Sequence, residues 1–341
     1  MTARLFRNIL LCCVLLAAFT VSAAQTGPRA ARGDSVDAPV RVLLNSKKTV
    51  NGIEAATRQD NTIEATSCDP LNSSQNSVWF AFEVPAIVRL DLDTSGSILS
   101  YDNTTINVTT MTLYKVNGPT LIEVDCEINS GARLLDVDLD KGSYKVRVAS
   151  PGMLLTGPSS YRLGLRVRGL GGLGNDTGFT APLGTAWKVR NAGDPAKIFK
   201  ACSDNCVRFD GAAGGKILTK INWADLNIKA IVGDSLSTNI FVNNTPAGGS
   251  NVKVTIQLIY SDGTPSNRQT ITRNVVMTAT DSSVGLGAAL VEIKSKALKT
   301  VKVTIASPTA NDTFNVIQAS VYMMAGSNVR GLLPLPVPPA N

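Results

Sequence analysis

The chain of 341 residues contains no histidine. That absence removes Ser-His-Asp and Cys-His nucleophiles, and any catalytic zinc held by imidazole. Aromatic residues make up only 5% of the sequence and tryptophan occurs three times, so few rings are available as stacking platforms. Apart from the N-terminus, no apolar run approaches the roughly 20 residues needed to span a bilayer. No long segment after the N-terminus carries helical periodicity, which argues against helix bundles and α/β folds.

The N-terminus itself reads as an export signal. Arg4 and Arg7 precede an apolar run from Ile9 to Phe19, followed by the small residues Val21-Ser22-Ala23-Ala24. Residues 1–24 are therefore expected to be a signal peptide, and the mature chain is expected outside the cell with no membrane span. Cys12 and Cys13 fall inside the signal. Cys68, Cys126, Cys202 and Cys206 remain, an even count that suits an oxidising compartment and allows three pairings. One bridge per half, Cys68–Cys126 and Cys202–Cys206, is the expected arrangement. The second is demanding, because four extended residues span about 13 Å and a disulfide needs Cα atoms within about 7 Å. Ser203-Asp204-Asn205 supplies turn chemistry that could fold the ends together.

What fills the rest of the chain is alternation with a period of two. Val88, Leu90 and Leu92 alternate with Arg89, Asp91 and Asp93, and Tyr161, Leu163, Leu165 and Val167 with Arg162, Arg166 and Arg168. Val252, Val254, Ile256, Leu258 and Tyr260 form another stripe, and Val301, Val303 and Ile305 a fourth. Half-buried antiparallel strands have this pattern, and turn signals such as Asp140-Lys141-Gly142 and Asp262-Gly263 punctuate it. The fold expected is all-β, with two antiparallel, jelly-roll-like β-sandwich domains in tandem.

The expected boundaries are a flexible lead-in over 25–39, a first sandwich over 40–168, a glycine-rich linker over 169–178, a second sandwich over 179–324 and a proline-rich tail over 325–341. Charge divides along the same line. Residues 33–168 hold 13 Lys/Arg against 16 Asp/Glu, whereas residues 175–329 hold 15 against 10. A net excess in the second half favours anionic surfaces.

Two resemblances sharpen this picture. Ala65-Thr66, Cys68-Asp69-Pro70, Ser77-Val78-Trp79-Phe80-Ala81-Phe82, Thr94-Ser95-Gly96-Ser97, Leu113-Tyr114, Cys126 and Gly142-Ser143-Tyr144-Lys145-Val146-Arg147-Val148 occur in an order that resembles the bacterial pre-peptidase C-terminal domain family, over about 65–167. That family comprises small β-sandwiches attached to secreted proteases and other exported proteins. Here Glu127-Ile128-Asn129 stands where its members often carry an acidic pair. Trp187-Lys188-Val189, Cys206-Val207-Arg208-Phe209, Asp234-Ser235-Leu236 and Tyr260-Ser261-Asp262-Gly263-Thr264 are similar to the jelly-roll, carbohydrate-binding-module-like domains of exported bacterial proteins, over about 179–323. The acidic positions that commonly hold calcium in such modules are replaced by Thr177-Gly178-Phe179-Thr180 and Asn315-Val316-Ile317-Gln318-Ala319.

Motifs for catalysis do not survive inspection. Gly169-Leu170-Gly171-Gly172-Leu173-Gly174 has the spacing of a dinucleotide fingerprint, but no helix pattern follows to receive a pyrophosphate. Gly211 to Lys216 is one residue short of a phosphate loop. Arg32-Gly33-Asp34 spells an adhesion tripeptide, most simply by chance. Asp91, Asp93, Asp136 and Asp138 occupy alternate strand positions and read as a solvated face. Asp102, Asp125 and Glu127, at loops or strand ends, are the candidates for a structural calcium. Trp223 is the candidate exposed ring, and Lys294, Lys296 and Lys299 form the candidate basic contact.

The function expected is a secreted, non-enzymatic binding or matrix protein whose second domain contacts extracellular or cell-surface polysaccharide. Its partners would be glycan and other surface proteins, with no nucleic acid. The alternatives are a structural cell-surface or sheath subunit and an accessory module of a secreted hydrolase system.

Overall fold

A computed structural model describes residues 32–56, 66–174, 176–190, 194–243, 249–263, 268–277, 284–287 and 290–326. The segment expected as a signal peptide and most of the segment expected as a proline-rich tail lie outside the described residues. The architecture is all-β, with three short 3-10 turns and no α-helix among the described residues.

The first half supplies eleven strands: β1 (Val40–Arg41), β2 (Ser46–Asn51), β3 (Gln75–Val84), β4 (Ile87–Asp93), β5 (Leu99–Tyr101), β6 (Thr104–Ile106), β7 (Val108–Asn117), β8 (Thr120–Ser130), β9 (Arg133–Leu139), β10 (Gly142–Ser150) and β11 (Ser160–Leu173). The second half supplies eleven more: β12 (Lys188–Arg190), β13 (Ile198–Ala201), β14 (Cys206–Asp210), β15 (Lys216–Asn222), β16 (Ser235–Asn243), β17 (Ser250–Tyr260), β18 (Arg268–Met277), β19 (Val284–Gly287), β20 (Val291–Glu292), β21 (Leu298–Ala306) and β22 (Thr313–Met324).

Each half owns one five-stranded sheet, β1-β3-β10-β7-β8 in the first and β12-β15-β21-β17-β18 in the second. The opposing layer is common to both. A ten-stranded sheet runs β13-β14-β22-β11-β4-β9, with β2 beside β11, β16 beside β22, and β19 and β20 beside β16. The inward stripes close the two sandwiches as the alternation requires: Phe80, Leu90, Val146 and Leu163 are buried in the first, and Phe209, Ile256, Val303 and Phe314 in the second. Phe209 and Phe314 stack with centroids 4.7 Å apart. All these side chains belong to one apolar cluster that spans both halves.

The seam is the strand pair β11–β22. Gly169 lies opposite Met324, Leu170 opposite Met323 and Leu173 opposite Val321, antiparallel. At 14 and 12 residues both strands far exceed the usual five or six, and the excess length is what crosses between halves. One edge of β11 pairs first with β2, at Ser160–Leu165, and then with β22. The glycine run, expected as a flexible linker, is therefore strand as far as Leu173. Its glycines serve the change of partner: the ladder to β22 slips between Leu170 and Leu173, where Gly172 has φ +72°, a bulge conformation that a side chain resists.

Polar groups reinforce the seam. Arg166 grips the buried Asp234 with two bonds, Nη2 to Oδ1 at 2.7 Å and Nη1 to Oδ2 at 2.9 Å. Asp234 is 1% exposed and also accepts from the Gly326 amide at 3.1 Å. Gly326 is packed so closely that a Cβ there would stand 2.3 Å from the Gly233 carbonyl oxygen. Asn45 accepts from the Val167 amide at 2.8 Å and donates to the Lys229 carbonyl at 3.2 Å. Asp91, expected on a solvated face, is 7% exposed. It pairs with Arg168 at 2.5 Å and accepts from the Asp136 amide at 2.9 Å. The outward side of β4 and β11 is thus partly enclosed rather than bathed in water.

Two further expectations change in detail. Residues 32–39 of the lead-in dock on the first sandwich, where the Trp79 amide donates to the Gly33 carbonyl at 2.7 Å and Lys145 Nζ to that of Val36 at 2.9 Å. Gly33 is buried, so the Arg32-Gly33-Asp34 segment is a packed edge and not a free loop. Both disulfides join the expected cysteines, with Cα separations of 5.6 Å for Cys68–Cys126 and 5.5 Å for Cys202–Cys206. The short ring closes because Cys202, Ser203 and Asp204 all take positive φ, curling the chain between β13 and β14.

A shared sheet and a single core predict one cooperative unit. Calorimetry of the mature chain should give a single unfolding transition, and Asp234→Ala, which removes the carboxylate that Arg166 grips, should lower stability by about 3 kcal/mol without splitting it. Two resolved transitions in the unmodified protein would contradict the shared layer.

Candidate functional site

Trp223 is not an exposed ring. It is 3% exposed and lies in the common apolar cluster. Ile217, Thr219 and Ile221 are buried on β15, and Trp223 continues the same period of two into the 3-10 turn Trp223–Leu226. The polar residues that follow it belong to that turn. Trp187 is buried against Phe179, with centroids 5.1 Å apart, and Trp79 is buried beside Tyr114 at 5.6 Å.

The candidate lysines Lys294, Lys296 and Lys299 are exposed, but they cluster at one end of the second half, around the turn from β20 into β21. Lys294 Nζ lies 2.5 Å from Glu292 Oε2. The turn is held by Ser295, whose hydroxyl donates to Asp262 and accepts from the Ala297 amide. Carboxylates therefore accompany these lysines and offset part of their charge.

Asp102, Asp125 and Glu127 do not converge on an ion site. Asp102 sits in the β5–β6 turn, where its amide donates to Thr156 Oγ1 at 3.0 Å. Asp125 accepts from the Cys126 amide at 2.8 Å, and Glu127 accepts from Asn129 Nδ2 at 2.7 Å, both on β8. Among the described residues no group of three or more His, Cys, Asp or Glu side chains gathers as a metal site would require.

The perturbed titratable groups are structural. Burial raises the Asp69 carboxyl, but hydrogen bonds from Ser74 and Ser73 outweigh it and hold the group below its usual value. Ser73 donates from amide and hydroxyl at 2.8 and 2.9 Å, and the Ser74 amide at 2.9 Å. This clamps the loop that Cys68–Cys126 ties to β8. Burial pushes up the hydroxyls of Tyr144, Tyr161 and Tyr260, and the Asp138 hydrogen bond raises Arg89. Shifted groups often mark chemistry; each of these is accounted for by packing or pairing within the fold.

An open groove lies elsewhere among the described residues, on the outward face of the β12-β15-β21-β17-β18 sheet. The groove, of about 400 Å³, is lined by Thr185, Ala186, Lys188, Arg190, Leu218, Lys220 and Lys302. The lining residues on β12, β15 and β21 are the outward partners of the inward stripe. The same alternation that buries Ile217, Val301 and Val303 turns Lys220 and Lys302 outward. Sequence reasoning missed this face because its cations are distant in sequence and meet only through strand pairing.

Comparisons with known proteins leave the family open. No family model matches the chain, and no curated protein matches it. Among solved structures, the N-terminal CBM22-1-CBM22-2 tandem of Paenibacillus barcinonensis Xyn10C matches at 9% identity and TM-score 0.31, covering 82% of this chain and 92% of that one. The CBM22-1 xylan-binding domain of the same protein matches at 11% identity and TM-score 0.31, over 46% of this chain and 94% of that one. The pre-peptidase C-terminal domain of a Bacillus anthracis collagenase matches at 13% identity and TM-score 0.22, over 37% and 93%. Likenesses this distant carry no functional conclusion.

Two outcomes follow from the geometry. Trp223→Ala should cost about 3–5 kcal/mol in denaturant unfolding, as expected for emptying a core site; a change below 1 kcal/mol would put the ring on the surface. For Asp69, the depressed native value means its stabilisation is present above the unfolded pKa of about 4 and lost as pH falls through the native value. Asp69→Asn should therefore be less stable than the parent at pH 7, with the gap narrowing below about pH 4. A gap independent of pH would remove the ionised carboxylate from the account.

Proposed function

We propose that the chain is an exported, non-catalytic binding protein whose second half contacts extracellular or cell-surface polysaccharide. The observation that carries this reading is the solvent-open groove on the outward face of β12, β15 and β21, with polar and cationic walls beside Leu218. Glycans bind through many hydrogen bonds over an extended surface, and a pleated sheet offers alternate side chains at regular spacing for that purpose. The contact centres on this face instead of on Trp223. The lack of histidine and of a gathered metal set among the described residues fits a role in binding and not in turnover.

One observation favours a second reading, a structural subunit that contacts protein. The edge strand β8 is 11 residues long and leaves Ile122 and Val124 exposed, at 47% and 39%. Edge strands with exposed apolar side chains can accept a further strand.

Affinity electrophoresis of the mature chain against a broad panel of neutral and acidic polysaccharides tests the first reading. Retardation by at least one of them, reduced by Leu218→Asp with an unchanged melting temperature, is the expected result. Migration unaffected by every polysaccharide, together with concentration-dependent self-association in sedimentation, would transfer the case to the structural subunit.

A further inference from the structure

Across β12, β15, β17, β18 and β21 nine lysines or arginines stand against no aspartate or glutamate. Strand pairing gathers several of them in register. Arg190 lies directly opposite Lys216, and Lys220 directly opposite Lys302. Lys216 and Lys253 flank Ala306 from either side, in the same cross-strand row. Neighbouring strands are about 5 Å apart, so positive side chains recur at about 5 and 10 Å across the face. Like charges placed directly opposite destabilise a sheet, and this sheet holds two such pairs. Cations repeated in register beside an open groove make a surface that attracts a ligand of opposite charge.

Between the cations lie neutral hydrogen-bonding groups. One row runs Lys188, Leu218, Thr304, Thr255, and the next Lys220, Lys302, Gln257. Hydroxyls and an amide suit sugar hydroxyls, and Leu218 offers an apolar floor for the C–H face of a ring. Aromatic side chains are missing from this face. The five strands contain one aromatic residue, Tyr260, and it is buried. Single-stranded nucleic acids depend on aromatic stacking, so the pattern favours a charged sugar chain over bases.

We propose that this face binds an acidic polysaccharide, a linear glycan carrying carboxylates or sulfates, through the in-register cations Lys188, Arg190, Lys216, Lys220, Lys253 and Lys302. This rests on the reading of the chain as a polysaccharide-binding protein and adds the ligand's charge class and the residues that read it.

The test compares one glycan backbone in two charge states. Polygalacturonate and its carboxyl-reduced form are titrated with the mature chain, alongside a sulfated polysaccharide, a neutral glucan and a DNA oligonucleotide. Binding to polygalacturonate or to the sulfated chain should exceed binding to the carboxyl-reduced form at least about tenfold, and should weaken as salt shortens the screening length toward about 8 Å. Arg190→Gln/Lys302→Gln relieves both like-charge pairs. It should weaken binding about tenfold while leaving the melting temperature unchanged or raising it by about 1–2 °C. A fall in melting temperature for this variant would instead assign the cations to structure and overturn the proposal. Equal binding to the charged and reduced forms, or binding to the neutral glucan alone, would overturn the charge class while leaving the polysaccharide reading in place. Binding to no glycan would overturn both. DNA bound as tightly as the acidic glycans would mark an unspecific polyanion surface, and salt-sensitive self-association abolished by the double variant would give the face to the acidic half of a second copy; either overturns the proposal.

Discussion

The antiparallel pairing of β11 with β22 is the constraint on which the rest of the molecule depends. Two strands that would each have served one sandwich are long enough to overlap at their C-terminal ends, with Gly169–Leu173 meeting Val321–Met324. That overlap turns two sandwiches into one ten-stranded layer with a private five-stranded sheet over each half. Backbone pairing alone would leave the junction polar and partly buried. The Arg166–Asp234 fork, the Asn45 bonds and the close approach of Gly326 satisfy those groups, as buried polar atoms require.

A fused layer has consequences for the outer surfaces. Because the second half rests its inner sheet on a layer shared with the first, the opposite face of β12-β15-β21-β17-β18 remains turned to solvent, where the alternation places Lys188, Lys220 and Lys302 outward. The uneven charge of the chain then has a structural address. The basic excess of the second half is concentrated in a sheet without a carboxylate, while acidic residues such as Glu123, Asp125 and Asp138 lie on strands β8 and β9 of the first. Rigid attachment of the two halves fixes these surfaces relative to each other.

Much of this was legible in the sequence, and the parts that were not share a physical cause. Period-two stripes such as Val252–Tyr260 and Tyr161–Val167 identify strands because side-chain direction is a local property. The disulfide partners were legible from compartment and spacing. Asp91 was misread because enclosure of an outward face depends on which element docks there, here Arg168 and its surroundings. The glycine run was misread because local rules treat glycine as a breaker, whereas here it supplies the bulge of a strand changing partners. Trp223 was legible in principle, since it extends the stripe Ile217, Thr219, Ile221 by one step, but the polar turn after it masked the continuity. The cationic face was invisible for a different reason: Lys188, Lys220 and Lys302 become neighbours only when β12, β15 and β21 pair.

Amide hydrogen exchange at the seam tests the shared layer most directly. If β11 and β22 form one ladder, the amides of Leu170, Leu173 and Met323 should exchange as slowly as those at the centre of β10 and β17, through global unfolding alone. Exchange of Gly169–Leu173 at the rate of an exposed loop, with β10 and β17 still protected, would contradict the account and restore two sandwiches on a flexible joint.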